Sequence, residues 1–554
     1  MADVHVPPDV RREILRAFTR KYHLQLRSDA VQFVCATLQA HGLLDEPVAR
    51  AEAVEALANA LVEQHFSGAS SAGFDGLVVT SDVLCKVYDQ LVVEGAEEPG
   101  AASAVTMGDT PNLERYFHVC DAFKLPRIRF NGSRKIFEPI EKPASLLSSP
   151  ASVTEHLAER YELLRSVVLR NEHFLPPLAA GARESHMKLT TTKNLLGRQG
   201  QNCLLFGRLS TTPDGQYVLE DTEGSVHLDL DAAIAGEGIF TEGSFVLVEG
   251  EYTMQERLHA FAIGHPPSES RDEARSLFGH VDFTGTGAVP QKHVAAMQSQ
   301  EMQHPDLSFA VFSDVHLDHE NSLSNLRAIL QGYGDADFIP FCLVLCGNFT
   351  SVSMEADEGN RDRFEQGFLR LAELLQRFPH ILEQTHLVLI PGPADPVSTP
   401  LLPRARIPAP LVASFEQSLP SAFVAQRLHW ASNPCKLVYF SQEMVIFRDD
   451  IMSKMLRSAV RLKDELRDGD LQKFLVSTLL DQAHLCPLPQ QVRPVLWEHA
   501  NAMRLYPMPS ALVLADRYER FELTYEGCHV FNPGSFRDGA EVRALLVNTS
   551  ELQE

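Results

Sequence analysis

The chain has 554 residues, 44% of them hydrophobic and 22% charged, enough for two to four globular domains with ample core. Its 49 Lys and Arg stand against 73 Asp and Glu, a formal charge of −24. That balance excludes a molecule whose whole surface binds phosphate backbones by charge neutralisation. Nine cysteines without a Cys-x-x-Cys argue against a disulfide frame or zinc ribbon, and for a reduced compartment. The sequence shows neither the apolar core of a signal peptide nor a run of 18 apolar residues, so secretion and membrane spanning are not expected.

In chain order, residues 7–94 carry helical periodicity. Ile14, Leu15, Phe18 and Tyr22 form one stripe, and Val31, Phe33, Val34 and Leu38 a second behind a Ser28-Asp29 cap. Val54, Leu57, Ala58, Leu61 and Val62 form a third, and Leu84, Val87, Tyr88 and Leu91 a fourth. This predicts a small helical bundle over 1–94 whose purpose is docking. Residues 95–185 read as a linker with helical segments. It opens on a stretch of small residues at 95–110, and a helix is predicted over 152–173 with Ser152 or Thr154 as its cap.

From 186 to 270 the texture becomes that of strands. Five candidates, Cys203–Ser210, Gln216–Asp221, Ser225–Leu230, Phe245–Tyr252 and Leu258–Ile263, are separated by turn residues. Five strands with a glycine in the first suggest an OB-type barrel. Barrels of this type that hold single strands need stacking aromatics with Lys or Arg. This one carries Glu220, Asp221, Glu223, Asp229, Asp231, Glu249 and Glu251 instead, so a structural or protein-docking barrel is the expectation.

Residues 280–554 are expected as one further domain, in which 307–554 alternate strand and helix. Buried-strand runs end in Asp314-Val315-His316, Cys346-Gly347-Asn348, Pro391–Asp395 and Ala515–Tyr518, and Arg361–Phe378 and Lys454–Leu466 read as helices. Polar clusters on loops leaving parallel strands sit where layered α/β proteins place ligands. A carboxylate and an imidazole two residues apart suit a transition metal.

This order resembles the calcineurin-like metallophosphoesterases, whose pattern runs D-x-H, G-D, G-N-H-D/E, H, G-H-x-H, over roughly residues 305–540. The resemblance implies a two-metal site, and the departures dismantle it. The bridging aspartate is Asn348, which brings no negative charge to offset two cations. The asparagine ligand is Pro393, and the histidine acid is Ala394, so no group protonates a leaving oxygen. The last two histidines are Asp516 and Tyr518. Asp314, His316 and His484 remain, with Asp395 beside the ruined third motif. The implication is a degenerate site with no catalytic residue, metal or cofactor.

A barrel directly before such a domain is similar to the B subunits of eukaryotic replicative DNA polymerases. The N-terminal helices and the stretches His484–Pro489, Leu496–Pro507 and Asn532–Phe536 fit the branch that accompanies DNA polymerase epsilon. The resemblance implies a multidomain α+β, non-catalytic nuclear subunit. The barrel and the phosphoesterase-like face would grip the zinc-binding C-terminal domain of the epsilon catalytic subunit. The AAA+ lid-like N-terminal domain would face the GINS and MCM side of the replicative helicase, small histone-fold subunits would be reached indirectly, and DNA only indirectly or weakly. Two rival expectations stand beside it. One is an active phosphoesterase or exonuclease built on Asp314, His316, Asp395, His484 and Asp516; the other is a single-stranded DNA-binding barrel.

Overall fold

Alternation of inward and outward side chains makes the barrel. In Phe245–Tyr252, for example, Val246 and Val248 enter its core while Glu249 and Glu251 do not. The computed structural model describes residues 25–40, 116–175, 187–289, 291–304, 307–336, 338–353, 359–396, 401–536 and 545–548, with isolated positions between 10 and 84. The chain divides into two units, 1–111 and 112–554.

In the first unit, the helix Ser28–Ala40 lays Val31, Val34 and Leu38 in a core with Ile14, Phe18, Val54, Leu57, Ala58 and Leu84. Gln25–Leu26 pairs in parallel with Val78–Val79, a contact that the helical periodicity does not announce. The remainder of the expected bundle, Tyr22, Leu61, Val62, Val87, Tyr88 and Leu91 included, lies outside the described residues.

The second unit begins with a strand, Phe117–Asp121, inside the segment expected as linker. It forms the edge of a distant sheet by pairing antiparallel with Cys435–Tyr439. The following helix, Pro150–Arg170, starts earlier than predicted. Ser149 is its cap, accepting from the Ser152 N–H at 3.3 Å, with Pro150 in the first turn, where its missing N–H costs nothing.

The barrel strands are Asn202–Thr211, Tyr217–Glu220, Ser225–Asp229, Phe245–Tyr252 and Arg257–Gly264, each within two residues of expectation. The first pairs with the second and fourth, and the third closes on the fifth in parallel, which is the OB connectivity. Gly207 lets the first strand bend tightly, because a Cβ there would lie 2.6 Å from the carbonyl oxygen of Glu220.

The last part is two sheets packed face to face. One orders Leu428–Trp430, His386–Ile390, Cys342–Cys346, Ser308–Phe312 and Leu545–Asn548, the first four parallel. The other orders Phe521–Tyr525, Cys528–Asn532, Ala511–Leu514, Gln442–Phe447, Cys435–Tyr439 and Phe117–Asp121. Along Ser308–Phe312, Phe309 and Val311 face the space between the sheets, and Ala310 and Phe312 pack with helix side chains such as Phe364 and Phe368. Burial on both faces explains its unbroken apolar run.

The helix expected over Lys454–Leu466 is corrected. It spans Ile451–Arg457, and Ala459–Arg461 is then recruited as a strand by Phe240–Thr241 of the barrel segment. Tertiary pairing overrides local helix preference there.

Candidate functional site

The loops leaving Ser308–Phe312, Cys342–Cys346, His386–Ile390, Gln442–Phe447 and Ala511–Leu514 meet at the carboxyl edge of the two sheets. The meeting is pinned by pairing of Ser313 with Ser535 and by the Ser313 hydroxyl donating to the Ala515 carbonyl. Asp314 turns into this space through a left-handed backbone, φ 57°, a conformation aspartate tolerates better than most residues.

Both Asp314 oxygens are occupied. Oδ1 accepts from Arg448 Nη2 at 2.7 Å, from the Asn348 N–H at 3.2 Å and from Asn348 Nδ2 at 3.3 Å. Oδ2 accepts from Arg517 Nε at 3.0 Å. Arg448 is fully buried and spends the rest of its fork on the Gly347 carbonyl, 2.6 Å from Nε, and on Asp450 Oδ1, 2.9 Å from Nη1. Burial alone would push the Asp314 carboxyl up. The His316 ring 3.7 Å away and the guanidinium groups of Arg448 and Arg517 hold it well below the usual carboxylate range. Burial likewise works against the charge on Arg448, and Asp314 and Asp450 outweigh it.

The other expected positions serve the backbone. Asn348 Oδ1 accepts from the Ala394 N–H at 2.8 Å. Asp395 accepts from the N–H groups of Phe349 and Gly392, at 2.8 and 2.7 Å, and burial pushes it up to about 6 against those two donors. Gly347 is obligatory there, since a Cβ would fall 1.7 Å from Asp395 Oδ2. Asp516 accepts from the N–H of Met452 in the first turn of Ile451–Arg457 and from the N–H of Tyr518, and burial raises its pKa. Tyr518 packs on the helix side of the second sheet. His316 is buried beside Asp314, with no hydrogen bond to either ring nitrogen.

His484 is not part of this constellation. It follows the helix Asp470–Asp481 rather than the end of a sheet strand. Its Nδ1 accepts from the Cys486 N–H, and its ring lies 6.1 Å from that of His156 on the helix Pro150–Arg170. Burial, then Arg160 and His156, lower its pKa well below the ordinary value.

The residues that dominate the site are ones the motif reading passed over. Arg448-Asp449-Asp450 directly follows the apolar run Met444–Phe447, so a charged triplet at a strand's carboxyl end was the available signal. Asp449, fully buried, holds a second cluster, with Lys454 Nζ at 2.6 Å, Arg493 Nε at 2.7 Å and Arg404 Nη2 at 3.8 Å. A pair of divalent ions does not fit these residues. The one surviving carboxylate of the first motif is saturated by two guanidinium groups, and a guanidinium brings positive charge and no lone pair to a metal. Among the described residues no group of three or more His, Cys, Asp or Glu is arranged to hold a metal ion.

The family of B subunits of DNA polymerases alpha and epsilon matches residues 309–523, and the OB-fold domain of DNA polymerase epsilon subunit 2-like proteins matches residues 150–267. The DNA polymerase epsilon B subunit of Schizosaccharomyces pombe is 32% identical, covering 96% of this chain and 92% of its own. DNA polymerase epsilon subunit 2 of Homo sapiens is 31% identical over 99% of this chain and 98% of its own. The corresponding B subunit of Arabidopsis thaliana is 30% identical over 78% and 82%. With its sandwich, its OB barrel and likeness along almost its whole length, the chain belongs to the alpha/epsilon B-subunit family of DNA polymerases, on the epsilon side of it.

Proposed function

We propose that this chain is the non-catalytic accessory subunit of DNA polymerase epsilon, acting in chromosomal replication in the nucleus. It holds the catalytic subunit by that subunit's zinc-binding C-terminal domain, through the barrel and the phosphoesterase-like sandwich. Its N-terminal unit reaches toward the replicative helicase assembly, on the GINS and MCM side, and the small histone-fold subunits join indirectly. The observation that carries the non-catalytic reading is the double arginine lock on Asp314, which occupies both oxygens of the first motif's carboxylate with guanidinium groups. A fold that keeps its core and abandons its chemistry retains a rigid surface for partners.

Co-expression of the full chain with the catalytic chain tests the scaffold. The pair should co-purify, and deletion of the catalytic chain's C-terminal domain should abolish co-purification; retention after that deletion rejects the docking assignment. Hydrolysis of an aryl phosphodiester or a 3′ DNA end in Mn²⁺, abolished by His316→Ala, would instead establish the enzyme reading.

A further inference from the structure

We infer that the guanidinium of Arg448 is the resident cation of this degenerate site, fixing the charge balance and geometry of the loops that a metal centre would otherwise organise. The inference rests on the non-catalytic reading above and adds a role for one residue. Three observations converge on it. Arg448 is fully buried, and each nitrogen of its fork meets an oxygen: the Gly347 carbonyl at 2.6 Å, Asp450 at 2.9 Å and Asp314 at 2.7 Å. Those oxygens belong to loops of both sheets, Asp314 and Gly347 from the first, Asp450 from the second, so the side chain ties the sheets together at their carboxyl edge. The backbone of Arg448 is itself fixed. Its N–H donates to Asn433 Oδ1 at 3.1 Å, and its carbonyl accepts from Asn433 Nδ2 at 2.7 Å and from Arg404 Nη1 at 3.2 Å. A planar fork with five donors matches such a ring of oxygens in a way that one lysine ammonium does not. Arg517, half exposed, closes the solvent side of Asp314 and is the lesser of the two cations.

The consequence is a sandwich that needs no divalent ion. In the full-length chain, thermal unfolding should be unmoved, within about 1 °C, by EDTA or by millimolar Mn²⁺. Arg448→Ala should lower the melting temperature by roughly 5–10 °C, since one partner of a buried pair is then left uncompensated. Adding 20 mM guanidinium chloride should recover part of that loss in the variant, and NaCl at the same concentration should not. Arg448→Lys, keeping charge but not the fork, should fall between the two. If Arg448→Ala does not accumulate folded, Arg448→Met with Asp314→Asn carries the test, and the double variant should be at least as stable as Arg448→Met alone.

A melting temperature of Arg448→Ala within 2 °C of the parent overturns the inference. So does a parent chain destabilised by EDTA, or a double variant less stable than Arg448→Met. The same samples, assayed for phosphodiester hydrolysis in Mn²⁺, keep the two readings apart. Activity in the parent rejects the non-catalytic reading, whereas an inert parent with an indifferent Arg448→Ala rejects only the role given to Arg448.

Discussion

Asp481 shows how one buried acid sets a pH dependence. It ends the helix Asp470–Asp481, accepts from the Tyr525 hydroxyl at 2.9 Å and is pushed by burial up to about 8. The folded state therefore keeps a proton that the unfolded chain has released from about pH 4 upward. Where the native state binds more protons, stability falls as pH rises, by up to about 1.4 kcal/mol per pH unit per group, and the fall ends above the folded pKa. Asp481→Asn removes this contribution, because an amide accepts from Tyr525 without titrating. Urea unfolding at pH 5, 6.5 and 8 should show the variant gaining on the parent as pH rises, with the largest gain at pH 8. A difference between the two that does not change over this range rejects the assignment. Arg448 teaches a second lesson at the same scale. In sequence it is an ordinary charge after a strand, and only the convergence of loops from two sheets gives it three oxygens to hold.

Among elements, one amide reinforces the join between barrel and sandwich that the pairing of Phe240–Thr241 with Ala459–Arg461 begins. Gln482, fully buried at the end of the helix Asp470–Asp481, accepts from the Phe245 N–H at 2.7 Å and donates to the Phe245 carbonyl at 2.6 Å. It also lies 3.1 Å from His265 Nδ1. It thereby imitates a strand neighbour for the fourth barrel strand. Gln482→Ala strands a buried N–H and a buried carbonyl, at about 1–3 kcal/mol for each unsatisfied group. The expected outcome is a loss of about 2–4 kcal/mol in urea unfolding, and a loss below about 0.5 kcal/mol would show that the join is carried elsewhere. Such joins are what sequence reading cannot reach. The barrel strands were legible within two residues because their alternation is local, and the sandwich strands because burial on both faces leaves continuous apolar runs. Phe117–Asp121 was not legible, since its strand character comes from the partner Cys435–Tyr439 far along the chain. His484 follows a helix, and its Nδ1 accepts from the Cys486 N–H, an environment that its polar neighbours in sequence do not announce. Setting Asn348, Pro393, Ala394, Asp516 and Tyr518 against the family's pattern needs only residue identity, whereas the cation that answers Asp314 needs the fold.

For the whole molecule, the barrel raises the question of whether DNA is held directly. Single-strand binding by such barrels depends on exposed aromatic rings flanked by basic side chains. Here Phe206 and Phe245 are buried, and Phe206 stacks on Tyr161 of the helix Pro150–Arg170, with ring centroids 5.4 Å apart. The helix thus covers these two rings, while Phe261 on the fifth barrel strand stays exposed. Among the loops and strands left open, Glu220, Asp221, Glu223, Asp229, Asp231, Glu249 and Glu251 add charge of the wrong sign on a chain that already carries −24. Binding driven by counterion release is weak where Lys188, Lys193, Arg198, Arg208 and Arg257 are outnumbered by acidic side chains. Fluorescence anisotropy with a labelled oligo-dT should therefore give a Kd weaker than about 10 µM for the full chain at 150 mM salt, with little change down to 50 mM. A Kd below about 1 µM that weakens steeply with added salt would show that a basic path exists, and the barrel would then have to be treated as a DNA contact rather than as a surface for protein.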